Sequence, residues 1–187
     1  MWSDLRALGE GAPVPTRHNV SLSIGPPVLV FGGSGGGRMT SVAALLAARG
    51  YPSLALAYFK APGLPQTLHN IPLEYFAKAL RVLRAQPGVD PDHVLVVGES
   101  RGGEAALLLS AYFPRLVNGV IAGVPSSVVN SAAGPDTGRP AWTLGGRPLP
   151  AVSPSEFGRP TRPKRQGRSS RWSASVGRSC SPAVSRI

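Results

Sequence analysis

Apolar positions in this chain fall into short continuous runs that alternate with stretches of helical spacing. The segment PPVLVFGGSGGG (26–37) is an apolar run followed by glycines, which predicts a buried strand and then a tight loop. Val42, Leu45, Leu46 and Arg49 fall at helical spacing, predicting a helix over 39–49 with Gly50 just past its end. YPSLALAYF (51–59) reads as the next strand and KAPGLPQT (60–67) as a loop. Asn70 is placed as an N-cap with Pro72 near the first turn, and Phe76, Ala79, Leu80 and Leu83 form one apolar stripe. Pro87-Gly88 ends this helix near Gln86, and DPDH (90–93) is a turn. VLVVG (94–98) is too continuously apolar for a half-exposed sheet, so it predicts a strand covered on both faces. A helix over 101–113 follows, with Ala105, Leu108, Leu109 and Tyr112 on one face, and VNGVIAGVP (117–125) is a further strand. Strands alternating with helices over short loops predict an α/β fold, a mostly parallel sheet with helices on both faces.

Composition divides the chain into three. Residues 1–25 are weakly patterned, with Gly or Pro at 9, 11, 13, 15 and 25, and read as an N-terminal arm. Residues 26–158 carry the periodic pattern and read as one domain. Residues 159–187 hold seven Arg, one Lys and no acid, with almost no apolar periodicity, and read as a disordered basic tail. The net charge of +11 therefore misleads: the tail contributes +8, and the rest, with twelve cations against nine acids, only +3. Nucleic acid is not an expected partner on that distribution. The single cysteine, Cys180, allows no intrachain disulfide and suits a reducing, cytoplasmic setting. The N-terminal residues show no apolar signal-peptide core, and no apolar run is long enough to span a membrane.

The chemistry concentrates on two glycine clusters. Gly98-Glu99-Ser100-Arg101-Gly102 matches G-x-S-x-G between an apolar strand and an apolar helix, the context of a nucleophile elbow. There a sharp turn lifts the Ser100 hydroxyl out of the sheet and aims the N–H of Arg101 at a developing oxyanion. Glu104, one turn along, is expected to serve the helix dipole or pair with an arginine. The other cluster is Gly32-Gly33-Ser34-Gly35-Gly36-Gly37. Arg38-Met39 follows it rather than Lys-Ser/Thr, which argues against a phosphate loop. The G-x-G-x-x-G spacing fails, and no acid stands between Glu10 and Glu74 to hold a ribose, so a dinucleotide site is not expected. The remaining reading is an oxyanion loop with Gly33 or Ser34 as the donor. No cofactor or metal is expected.

FGGSGGG, ALAYF, IPLEYFAKAL, VGESRGGEAAL and AWTLGGRPLP (141–150), in that order, resemble the C-terminal domain of the acyl-CoA thioesterase / bile-acid-CoA:amino-acid N-acyltransferase family over residues 26–158. The resemblance implies an α/β-hydrolase fold and an acyl-CoA or related thioester substrate, with Ser100 acylated and water or an amine then taking the acyl group. Serine rather than cysteine at the elbow points to hydrolysis. Arg101 stands where the family usually has lysine.

In the family the triad Asp and His come from loops after later strands, which should begin near residue 165, inside the basic tail. The expectation is an incomplete α/β-hydrolase fold, truncated or frame-shifted after about residue 158, with an open sheet edge and little or no turnover. The available histidines do not fill the gap: His18 lies in the arm, His69 before a helix, and His93 at the far end of the strand leading to Ser100. Asp136, the only acid after the elbow besides Glu104 and Glu156, sits in a Gly/Pro loop and is not expected to be the triad acid. Two competing readings are another carboxylic-ester or dienelactone-type hydrolase, and a non-catalytic fragment with a basic binding tail.

Overall fold

The computed structural model describes residues 25–153. The arm up to residue 24 and the tail at 159–187, with His18, Glu156 and Cys180, lie outside the described residues. In chain order the elements are β1 (Val28–Phe31), α1 (Thr40–Ala47), β2 (Ser53–Leu56), β3 (Ile71–Pro72), α2 (Leu73–Arg84), β4 (Leu95–Glu99), α3 (Arg101–Tyr112), β5 (Gly119–Gly123), a short 3₁₀ turn (Gly134–Asp136), β6 (Trp142–Leu144) and β7 (Arg147–Pro148).

The main sheet has the order β2-β1-β4-β5, with every pairing parallel. All four residues of β1 are buried, as a strand covered on both faces requires. Successive side chains point to opposite faces. Val28 and Val30 pack with Ala43 of α1, joined by Leu46 and by Leu95 and Val97 of β4. Phe31 points the other way and meets Phe76 of α2, with ring centroids 5.0 Å apart. Helices therefore cover both faces, the arrangement expected from the apolar continuity of the strands. On the α2 side Phe31, Tyr58, Phe59, Phe76 and Trp142 form one aromatic cluster.

Three expectations need correction. Asn70 does not cap α2: the cap position is Pro72, without a side-chain bond. Asn70 instead takes φ 52, a left-handed conformation that asparagine tolerates, and its N–H donates to the Pro140 carbonyl. The strand expected over 51–59 is regular only at Ser53–Leu56, because Ala57, Tyr58 and Phe59 leave the ladder to bury themselves. The 39–49 helix runs from Thr40 to Ala47, with Gly50 at φ 84 beyond its end. A second sheet, β3-β6-β7, was not anticipated. Its strands are two or three residues long, too short to show alternation. At the described end of the main sheet β5 is an edge strand, with Ile121 58% and Val124, just beyond it, 79% exposed.

Candidate active site

The turn between β4 and α3 presents Ser100 at the C-terminal edge of the main sheet. Ser100 has φ 52 and ψ −115, a region that costs a residue with a Cβ about 1–3 kcal/mol. The surrounding backbone holds it there. Ser100 N–H donates to the Gly123 carbonyl at 2.8 Å, and the Ser100 carbonyl accepts from Glu104 N–H at 3.0 Å.

The elbow glycines are required by contact. A Cβ on Gly98 would strike the Gly102 carbonyl, and one on Gly102 would strike the Gly32 carbonyl. Elbow and glycine loop therefore meet backbone to backbone. A Cβ on Gly33 would lie 2.9 Å from Ser100 Cβ and 3.5 Å from Ser100 Oγ. Gly33 thus adjoins the hydroxyl, while Ser34 is exposed. The backbone N–H groups of Gly33, Ser34 and Arg101 donate no hydrogen bond among the described residues. The loop is held from beneath by Tyr58, whose hydroxyl donates to the Gly32 carbonyl at 2.8 Å. Burial, opposed by the nearby Arg101 charge, pushes the Tyr58 hydroxyl pKa well above its ordinary value, so it stays a donor.

Behind the elbow lies a charged cluster. Glu104 is 1% exposed, and both its carboxylate oxygens are occupied. Oε2 accepts from Arg101 Nη1 at 2.9 Å and Asn130 Nδ2 at 2.8 Å. Oε1 accepts from Trp142 Nε1 at 2.6 Å and Asn130 N–H at 3.2 Å. Arg101 Nη2 donates to the carbonyls of Asn130, at 2.9 Å, and Ser131, at 3.1 Å. The guanidinium carbon also lies 5.7 Å from the Trp142 ring centroid. Burial pulls the Arg101 pKa below its ordinary value, and the Glu104 carboxylate opposes that shift. Pairing with an arginine, one of the roles expected of Glu104, is present. Tyr58, Asn130 and Trp142 were missed, since nothing in the spacing links them to residues 101 and 104.

Neither described histidine is hydrogen-bonded to Ser100. His93 precedes β4, with Nδ1 2.6 Å from Asp90 Oδ2 and its side chain 71% exposed. The length of β4 separates it from Ser100 by about 16 Å at the usual strand rise. His69 precedes β3 on the small sheet. Ser100 Oγ makes no hydrogen bond among the described residues. Asp136, in the 3₁₀ turn, pairs with Arg139 at 3.1 Å. Among the described residues no group of three or more His, Cys, Asp and Glu side chains is arranged to hold a metal ion. No helix among them is long and apolar enough to cross a membrane.

Residues 71–135 match the model of the family described as BAAT / Acyl-CoA thioester hydrolase C terminal. The chain is 33% identical over 108 residues to acyl-coenzyme A thioesterase 2, mitochondrial, of Rattus norvegicus, covering 55% of this chain and 24% of that one. It is 36% identical over 103 residues to acyl-coenzyme A amino acid N-acyltransferase 2 of the same organism, covering 55% and 25%. The chain thus spans about a quarter of the length of these relatives. The crystal structure of the α/β hydrolase GrgF from Penicillium sp. sh18 is similar at a TM-score of 0.50 and 19% identity, over 59% of this chain and 40% of that one. That likeness bears on the fold alone. The fold is thus of α/β-hydrolase type, and residues 71–135 are similar to the C-terminal domain of the BAAT / acyl-CoA thioester hydrolase family.

Proposed function

We propose that the domain is of acyl-CoA thioester hydrolase type, with Ser100 as its nucleophile. Ser100 Oγ attacks the thioester carbonyl carbon, and the oxyanion that forms is held by the N–H groups of Arg101 and of Gly33 or Ser34. The C–S bond then breaks, the coenzyme A thiol leaves with the proton lost by serine, and water releases the acid from the acyl-serine. The observation that carries this reading is the strained Ser100 backbone set against Gly33. The names of the relatives support the substrate class.

Turnover in this chain is slow on the same reading. No described histidine is hydrogen-bonded to Ser100, and loss of the base costs a serine hydrolase several orders of magnitude. The purified chain should therefore hydrolyse palmitoyl-CoA only slightly faster than its Ser100→Ala variant. Hydrolysis at ordinary enzyme rates that disappears in Ser100→Ala would overturn the impairment and keep the nucleophile. Turnover of aryl esters with none of acyl-CoA would favour a carboxylic-ester or dienelactone-type hydrolase instead. A cytoplasmic location, suited to the single cysteine, belongs to the same proposal and is checked by cell fractionation.

A further inference from the structure

A cation one residue after a nucleophile invites the reading that it anchors an anionic part of the substrate. The geometry removes that role from the Arg101 side chain. Its side chain is 11% exposed and turned inward, with Nη1 on Glu104 and Nη2 on the carbonyls of Asn130 and Ser131. Glu104 in turn accepts from Asn130 and from Trp142 of β6. This is much polar structure to bury behind one turn. A buried ion pair is weak evidence for stability, because apolar side chains of the same volume often serve as well. A strained backbone such as that of Ser100 persists only where its surroundings over-determine it.

We propose that the Arg101–Glu104 pair is a positioning device: it anchors the side chain of the residue whose N–H meets the oxyanion, and so fixes that N–H relative to Ser100 Oγ. Arg101 is the first residue of α3, so its N–H direction follows from its own backbone and that of Ser100. The side chain is tied at three points: to the helix one turn on, to residues 130 and 131, and through Glu104 to β6. Release of the side chain lets the first turn rotate and the N–H drift. A misplacement of about 1 Å in a reacting geometry can cost about 100-fold in rate.

The inference rests on Ser100 as nucleophile, and its test separates the two. The purified chain is incubated with excess fluorophosphonate at about pH 10, where solvent hydroxide takes the serine proton in place of a protein base, and phosphonylation of Ser100 is followed by intact mass, with Ser100→Ala as blank. The probe forms a P–O bond to Oγ and releases fluoride, and its phosphoryl oxygen uses the same N–H donors. Glu104→Gln should label about 10–100-fold more slowly than the parent at a temperature where both are folded. Arg101→Lys, which keeps a cation for Glu104, should lose less, and it carries the comparison if Glu104→Gln does not fold. Leu83→Ala, a core change in α2 chosen for a similar fall in Tm, should label at the parent rate. Equal rates for Glu104→Gln and parent would overturn the positioning role while leaving Ser100 as nucleophile. Slow labelling of Leu83→Ala as well would reduce the effect to stability and also overturn it. A parent that labels no faster than Ser100→Ala would overturn the nucleophile, and the positioning role with it.

Discussion

Two polar side-chain pairs of the same spacing flank β4, and they differ in almost everything else. Before the strand, Asp90 and His93 face water, with side chains 52% and 71% exposed. After it, Arg101 and Glu104 are 11% and 1% exposed. Both are i,i+3 pairs, and the contact in the exposed pair is the shorter, 2.6 Å against 2.9 Å. Neither spacing nor distance ranks them. An exposed pair exchanges water for a partner at little gain, and salt screens it further. A buried pair has given up its hydration, so loss of one partner strands the other in a medium that solvates it poorly.

The sharpest test strips the buried pair. Glu104→Ala leaves the Arg101 guanidinium and the Trp142 and Asn130 donors without their acceptor. It should lower unfolding free energy by about 3–5 kcal/mol in urea titrations. A loss below about 1 kcal/mol would erase the distinction between the two ends. Glycines at the two ends offer a second test. Gly102→Ala drives a Cβ into the Gly32 carbonyl and should cost about 3 kcal/mol. Gly88, ahead of β4, has open space around it and only its φ of 75 to penalise a side chain, so Gly88→Ala should cost about 1 kcal/mol.

Smaller effects refine the picture. Ser100→Gly relieves the positive φ and should raise stability by about 1 kcal/mol while abolishing phosphonylation at this position. At the exposed end, the Asp92 N–H and then His93 hold the Asp90 carboxyl below its usual pKa. A depressed carboxyl stabilises the fold above its unfolded pKa of about 4, and that contribution fades as pH falls through the lower folded value. Because the Asp90 side chain is about half exposed, Asp90→Asn should leave the acid limb of a pH-unfolding profile unchanged within error. A visible shift in that limb would show that the exposed pair counts for more than its exposure allows.

Legibility in the sequence followed the length scale of each signal. β1, β4, α2 and α3 were readable because apolar continuity or a 3.6-residue stripe persists over four residues or more. The elbow was readable because strand, G-x-S-x-G and helix are contiguous. Glu104 was readable only as a group for the helix dipole or for some arginine; that the arginine is Arg101 came from the structure. That Trp142, 38 residues away, completes its coordination was not, since nothing along the chain announces which indole will meet which carboxylate. Asn70 was misplaced because the same short amide side chain suits helix caps and left-handed turns. The β6-β7 hairpin did leave a trace: Gly145 and Gly146 lie at φ 57 and 72 between Leu144 and Arg147, a two-glycine pairing signal. The strands on either side were too short to make it stand out.

The close approach of Gly102 to the Gly32 carbonyl also sets an order of events during synthesis. The two glycines are 70 positions apart, and the parallel pairing of β1 with β4 that brings them together spans a similar stretch of chain. At about 5–20 residues per second a ribosome makes the loop roughly 4–14 s before the elbow it touches. During that interval β1 has only β2 to pair with, and its edge toward β4 stays open. Loop and serine are thus assembled late and together, so any pause in translation between residues 32 and 102 prolongs the time for which an apolar strand edge is available to the wrong partner.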